Sequence, residues 1–69
     1  MSIMPNWQPH QQRVVEEKKE LDIKLGKLTE FLKGDLFKTI PAPEQVRLTC
    51  QRKCMEDYSA ILADRIAHF

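Results

Sequence analysis

The sequence predicts an all-α fold: two antiparallel helices form a hairpin, and the hairpin assembles into a homo-oligomeric helical bundle. Three observations lead to this prediction. The 69 residues include only two glycines, too few for a fold built of strands and turns. Apolar residues recur at intervals of three, four and seven in two long segments, as on one face of a helix. A chain this short forms one domain at most, with a small core.

The first predicted helix covers about residues 10–33, a segment without proline. Residues 1–9 before it are interpreted as an N-terminal arm anchored by Trp7. Pro9 suits a helix start, where its missing N–H would have no partner, and Gly34 is a typical helix stop. The predicted inward stripe of this helix consists of Gln11, Val14, Lys18, Leu21, Leu25, Leu28 and Leu32.

Residues 34–43 are predicted to connect the two helices, with Leu36, Phe37 and Ile40 folding back over the closed end. The second helix is predicted over about residues 44–68. Its predicted stripe consists of Leu48, Gln51, Met55, Tyr58, Leu62, Arg65 and Phe69. A short connection between two long helices makes them antiparallel neighbours.

Two helices cover only one face of each other, which leaves several apolar residues partly exposed. These residues are Val15, Ile23, Phe31, Cys54 and Ile61. Small domains often need self-association to bury such groups. We therefore expect a dimer or a larger homo-oligomer.

The charge balance argues against nucleic acid and membranes as partners. Eleven Lys and Arg face ten Asp and Glu, a formal net charge of +1, so no strong field attracts DNA, RNA or an acidic surface. No direct DNA or RNA binding is expected. No run of about 18 apolar residues exists to span a membrane, and the first residues lack the pattern of a secretory signal.

The sequence gives little support for catalysis or for a metal. Cys50 and Cys54 lie four residues apart with no second pair of ligands nearby, whereas a zinc site needs four ligands. We interpret them as reduced thiols. Ser59 lies in the middle of a helix, and no nucleophile has an adjacent base. The protein is therefore predicted not to be an enzyme and to carry no cofactor.

One end of the predicted hairpin is polar and basic, which suits a phosphate-bearing ligand. Arginine, lysine and the free N–H groups of a helix start bind phosphate, and an aromatic ring stacks on a base. The candidate ligand-binding residues are His10, Gln11, Arg13, Lys18, Tyr58 and Arg65. The alternative is a structural role. Lys18 and Arg65 would then lay the apolar part of their side chains along the contact between the helices or fix how the helices align, and Tyr58 would belong to the core.

Several segments carry a family resemblance. They are PHQQRVV at Pro9–Val15, EEKKELDIKLGKLTEFL after it, PAPEQVRL, and MEDYSAILADRIAHF at the end. Together they resemble a small family of uncharacterised phage proteins named after a protein of a crAss-like phage. The resemblance covers nearly all of residues 9–69. It implies a location in the cytoplasm of a bacterial host.

A looser analogy suggests a function. The chain is similar in size, hairpin shape and phage origin to anti-CBASS and anti-Thoeris sponges, which sequester nucleotide messengers of bacterial immunity. No motif is shared, so the analogy is one of fold alone. We expect a phage anti-defence protein that binds a cyclic or ADP-ribose-type nucleotide without catalysis. The alternative is a helical interaction module that binds a host or phage protein.

Overall fold

The computed structural model describes residues 7–69, and every regular element in that range is a helix. Helix α1 covers Pro9–Lys33, α2 covers Asp35–Lys38 and α3 covers Ala42–Ala67. The all-α class is therefore confirmed for the part of the chain that the structure describes. The interpretation of the first residues as an arm falls mostly outside the described residues, because residues 1–6 are not included.

Helix α1 begins with a cap built from two glutamines. Gln8 precedes the helix in an extended conformation, and Pro9 occupies its first position, one residue before the predicted start. The backbone N–H of Gln8 donates a 2.9 Å hydrogen bond to Oε1 of Gln11. This contact is the return half of a capping box. At the other end, the N–H of Gly34 donates to the carbonyl of Phe31.

The segment predicted as a connection contains the short helix α2, and α3 begins at Ala42, two residues earlier than predicted. The rings of Phe31 and Phe37 meet edge to face, with centroids 6.3 Å apart. Gln45 Nε2 donates to the carbonyls of Phe37, at 3.1 Å, and Ile40, at 2.8 Å. Through these two bonds a side chain of α3 holds the backbone after α2, so the connection is a folded corner.

The sequence predicted that Leu36 folds back over this corner, but in the structure its side chain faces solvent. Its exposed fraction is 66%, whereas Phe37 and Ile40 are half-buried. The reason is geometric: α2 has a single turn, and adjacent residues on a helix point about 100° apart. With Phe37 turned towards Phe31, Leu36 faces outwards.

The contacts between α1 and α3 pair the beginning of one helix with the end of the other. Trp7, just before α1, packs edge to face against Phe69, just after α3, with ring centroids 6.4 Å apart. Near the middle of both helices, the Ser59 hydroxyl donates a 2.5 Å hydrogen bond to Oδ1 of Asp22. The two helices therefore run in opposite directions where they touch.

The inward stripe of α1 lies as the spacing predicted, because all seven of its positions are half-buried or buried. The stripe predicted for α3 is wrong at four positions, since Gln51, Tyr58, Arg65 and Phe69 are exposed. The side chains of α3 that are not exposed are Glu44, Gln45, Leu48, Arg52, Met55, Ser59, Leu62 and Ile66. The residues that turn towards α1 therefore lie four positions after Leu48, Met55 and Leu62, and not three positions after them as predicted.

The core of the described residues is small. Val14, at 8% exposure, and Leu62, at 0%, are its buried apolar side chains. The other inward-facing side chains are half-buried, because among the described residues each long helix packs against one other long helix. No helix among the described residues is both long and apolar enough to cross a membrane.

Candidate functional site

The structure divides the six candidate ligand-binding residues into two groups. Gln11 and Lys18 are half-buried on the stripe of α1. The other four are exposed: His10, Arg13, Tyr58 and Arg65. Within residues 7–69, no hydrogen bond or ion pair joins any two of the six. They therefore do not form one preassembled cluster within a single chain.

Lys18 is held by a polar network between the helices. Its Nζ lies 2.6 Å from Oδ2 of Asp22, and the other oxygen of Asp22 accepts the hydrogen bond from Ser59. The Lys18 hydrogen bond, followed by that from Ser59, holds the pKa of the Asp22 carboxyl below 3.8, its ordinary value. Gln11 is similarly engaged in the cap of α1. This half of the predicted site therefore stabilises the fold.

Tyr58 and Arg65 lie on one exposed face of α3. They are seven residues apart, which is two helical turns or about 10 Å along the axis, and Ile61 lies between them. Tyr58 is 42% exposed. No carboxylate among the described residues forms an ion pair with Arg65, whereas Arg47 pairs with Glu44 at 3.1 Å. The Arg65 guanidinium is therefore available to an external anion.

The beginning of α1 lies at the same end of the molecule as this face. Trp7 contacts Phe69. His10 follows Trp7 by three residues, and Arg65 precedes Phe69 by four residues. His10 and Arg13 are exposed, and the first turn of α1 carries no acidic residue. This end of the protein therefore carries two arginines, the beginning of α1 and the end of α3.

Both cysteines lie at the surface of α3. Cys50 and Cys54 are free and exposed on α3. In residues 7–69 no three His, Cys, Asp or Glu side chains lie close enough together to hold a metal ion. Cys50 also lines an open, largely apolar groove of about 340 Å³, together with Phe37, Ala42, Gln45, Val46 and Thr49.

Sequence reasoning missed Asp22 and Ser59 as the polar link between the helices. A signal was present: Ser59 is four residues after Met55 and three before Leu62, which places it on the buried stripe. Asp22 follows Leu21 and lies four residues after Lys18, at ion-pair spacing. Polar residues at such positions are hydrogen-bonded when they are covered.

Comparison with known proteins places the chain among phage proteins. It is 40% identical over 60 residues to an uncharacterised 7.5 kDa protein in the denB-rIIB intergenic region of Enterobacteria phage T4, covering 87% of this chain and 94% of the relative. No solved structure matches. The predicted membership in a small phage protein family is confirmed. Because the Sequestin profile matches residues 8–68, the chain belongs to the Sequestin family.

Proposed function

We propose that this protein binds and sequesters a nucleotide messenger of bacterial immunity in the host cytoplasm. The ligand class is a cyclic nucleotide or an ADP-ribose-type nucleotide, and the protein acts as a homo-oligomer of helical hairpins. The family name, Sequestin, supports sequestration, and the phage T4 relative supports a role during infection. Binding alone removes the messenger, so no catalytic residue is required.

The exposed pair of Tyr58 and Arg65 carries the proposal. Arginine binds phosphate through two parallel N–H donors, and a tyrosine ring stacks on a base. Their separation of two turns suits a ligand that carries both groups. His10 and Arg13 lie at the same end, and Arg13 adds positive charge there. Lys18 already pairs with Asp22, so the proposal rests on the exposed residues.

Thermal melting against a panel of cyclic dinucleotides, cyclic trinucleotides and cyclic ADP-ribose isomers tests the proposal. A ligand at about 100 times its Kd adds roughly 2.7 kcal/mol to the stability, which raises the Tm visibly. We expect a rise with one ligand class. Arg65→Gln and Tyr58→Ala should each reduce it.

Arg47→Gln is the matched control, because Arg47 is also exposed on α3 but pairs with Glu44 near the opposite end of the helix. It should keep the full ligand-induced rise. The proposal is wrong if no member of the panel raises the Tm of the wild type. It is also wrong if Arg47→Gln and Arg65→Gln lose the rise equally.

A second candidate is a module that binds a host or phage protein. Exposed apolar side chains favour it, since Val46 is 62% exposed and Leu36 66% exposed. On this alternative the protein ignores nucleotides but retains a defined partner from infected cells. Val46→Asp should then abolish retention while the helical content stays unchanged.

A further inference from the structure

Arg13 on α1 and Arg65 on α3 lie at the same height and on the same side of the helix pair. We infer that these two arginines together hold one phosphate of the ligand, and that Glu17 accepts a hydrogen bond from the adjoining ribose 2′-hydroxyl. The ligand is then a ribonucleotide whose 2′-hydroxyl is free. The inference rests on the nucleotide binding in the proposed function, and it adds Glu17 to that site.

Two contacts between the helices fix the height of each arginine. On α1, Arg13 lies six residues from the aromatic contact at the helix ends and nine residues from the hydrogen bond near the middle. On α3, Arg65 lies four residues from the first contact and six residues from the second. Since the rise of a helix is uniform, each arginine lies about two-fifths of the way from the first contact to the second. The two arginines are therefore level with each other.

The two arginines also lie on the same side of the helix pair. Arg13 directly precedes the buried Val14 of the inward stripe. Arg65 directly precedes Ile66, which is half-buried on the inward side of α3. One residue back along a helix is a rotation of about 100°, so both arginines are turned from the contact by the same angle in the same sense. In two antiparallel helices, such equal rotations end on one side of the pair.

Neither guanidinium is used within the part of the chain that the structure describes. The sequence has four arginines, and Arg47 and Arg52 each form an ion pair with a glutamate of α3. In residues 7–69 no ion pair includes Arg13 or Arg65, and both are exposed. The axes of packed helices are about 8–10 Å apart, a distance that two arginine side chains can close on one phosphate. The two arginines without an internal partner are thus the two that lie side by side.

Glu17 follows on the same side of the pair. It directly precedes Lys18 of the inward stripe, so the same rotation places it beside the arginines. It lies four residues, or about 6 Å, after Arg13, whereas Tyr58 lies about 10 Å from Arg65 in the same direction. Arginines, carboxylate and tyrosine therefore follow the order of phosphate, ribose and base in a nucleotide. An ionised carboxylate only accepts hydrogen bonds, and carboxylates bind ribose 2′-hydroxyls in dinucleotide sites.

The sign of the effect of Glu17→Gln separates ribose binding from simple charge repulsion. Arg13 and Glu17 are at ion-pair spacing, yet no ion pair joins them in the structure. A carboxylate this close to a phosphate repels it, so its removal raises the affinity if Glu17 does not contact the ligand. If Glu17 accepts the ribose hydrogen bond, its removal lowers the affinity. Glu20 lies one turn further on and is level with the base.

Calorimetric titration of the full chain with cyclic ADP-ribose, ADP-ribose and cyclic di-AMP tests the phosphate position. We expect Arg13→Gln and Arg65→Gln each to lower the affinity for the probe that binds by about tenfold or more. Arg47→Gln is the control and should change it by less than about twofold. These side chains are exposed, so helical circular dichroism should be unchanged in all three variants.

Titration with the 2′-deoxy form of the same probe tests the role of Glu17. The wild type should bind the 2′-deoxy form about tenfold more weakly. Glu17→Gln should bind the ribose form more weakly than the wild type does and should no longer distinguish the two forms. Glu16→Gln is the control, because Glu16 is exposed one residue away and faces a different direction. A tighter complex with Glu17→Gln, or an unchanged preference for the ribose form, would overturn the assignment of Glu17.

The outcomes for the two arginines distinguish this inference from the proposed function. If a probe binds and its affinity depends on Arg65 but not on Arg13, the proposed function stands and the shared phosphate position is wrong. If no probe binds the wild type, the proposed function and this inference are both wrong.

Discussion

The hydroxyl of Ser59 on α3 donates a 2.5 Å hydrogen bond to Oδ1 of Asp22 on α1. Asp22 also pairs through its other oxygen with Lys18, so one carboxylate links two positions of α1 to the middle of α3. A polar link at one point of an apolar seam fixes which residues face each other, because a shift along the axis would leave its members unpaired. The link therefore sets the alignment of the two helices.

Asp22→Asn is expected to destabilise the protein. The change removes the charge that attracts Lys18 and weakens the bond from Ser59, which costs about 1 kcal/mol of unfolding free energy at this half-exposed site. Urea unfolding at neutral pH measures the loss. Asp57→Asn is the control, since its pair with Lys53 lies at the surface and should contribute little. Equal losses in both variants would contradict the role of the interhelical link.

The same carboxylate gives stability a defined pH dependence. The folded pKa of Asp22 is lower than 3.8, so its contribution is present above pH 3.8 and is lost as the pH falls through the folded pKa. Unfolding free energies of the wild type and Asp22→Asn should therefore converge as the pH falls below 3.8. A gap that stays constant through this range would show that Asp22 does not act through its charge.

Leu62→Ala is expected to be among the most destabilising single changes. Leu62 has 0% exposure, and replacing a buried leucine by alanine costs about 2–5 kcal/mol through lost burial and a cavity. Chemical denaturation gives the loss directly. Leu36→Ala is the matched control, because Leu36 is 66% exposed and should change stability by less than about 0.5 kcal/mol. A comparable loss at both positions would contradict the placement of the core.

Gly26→Ala is expected to stabilise the protein. The sequence leaves two explanations for a glycine inside α1: close approach of another helix, or a simple cost in helix propensity. A Cβ at Gly26 would have no neighbour within 4 Å, which favours the second explanation within one chain. Alanine should then add about 0.5–1 kcal/mol. A lower Tm for Gly26→Ala would instead indicate that a second copy packs closely against this position.

The rotation of α3 about its own axis does not follow from the sequence pattern. Leu48, Met55 and Leu62 recur every seven residues. In such a repeat, the residue that completes the helix–helix contact lies either three or four positions after each of them. A spacing of three predicts Tyr58 at the interface. In the structure the choice is four, so Ser59 faces α1 and Tyr58 faces outwards. Both spacings agree with the seven-residue repeat, since they differ only in how α3 is rotated about its axis.

The sequence by itself determined the all-α class, the positions of the two long helices to within two residues, and the inward face of α1. These follow from local properties: apolar spacing, proline and glycine at the helix ends, and the absence of strand patterns. Only the tertiary structure decided the rotation of α3, the short helix α2 and the division of the candidate site into paired and exposed groups. Those features depend on contacts between residues far apart in the chain, such as Asp22 with Ser59 and Trp7 with Phe69, which no local pattern encodes.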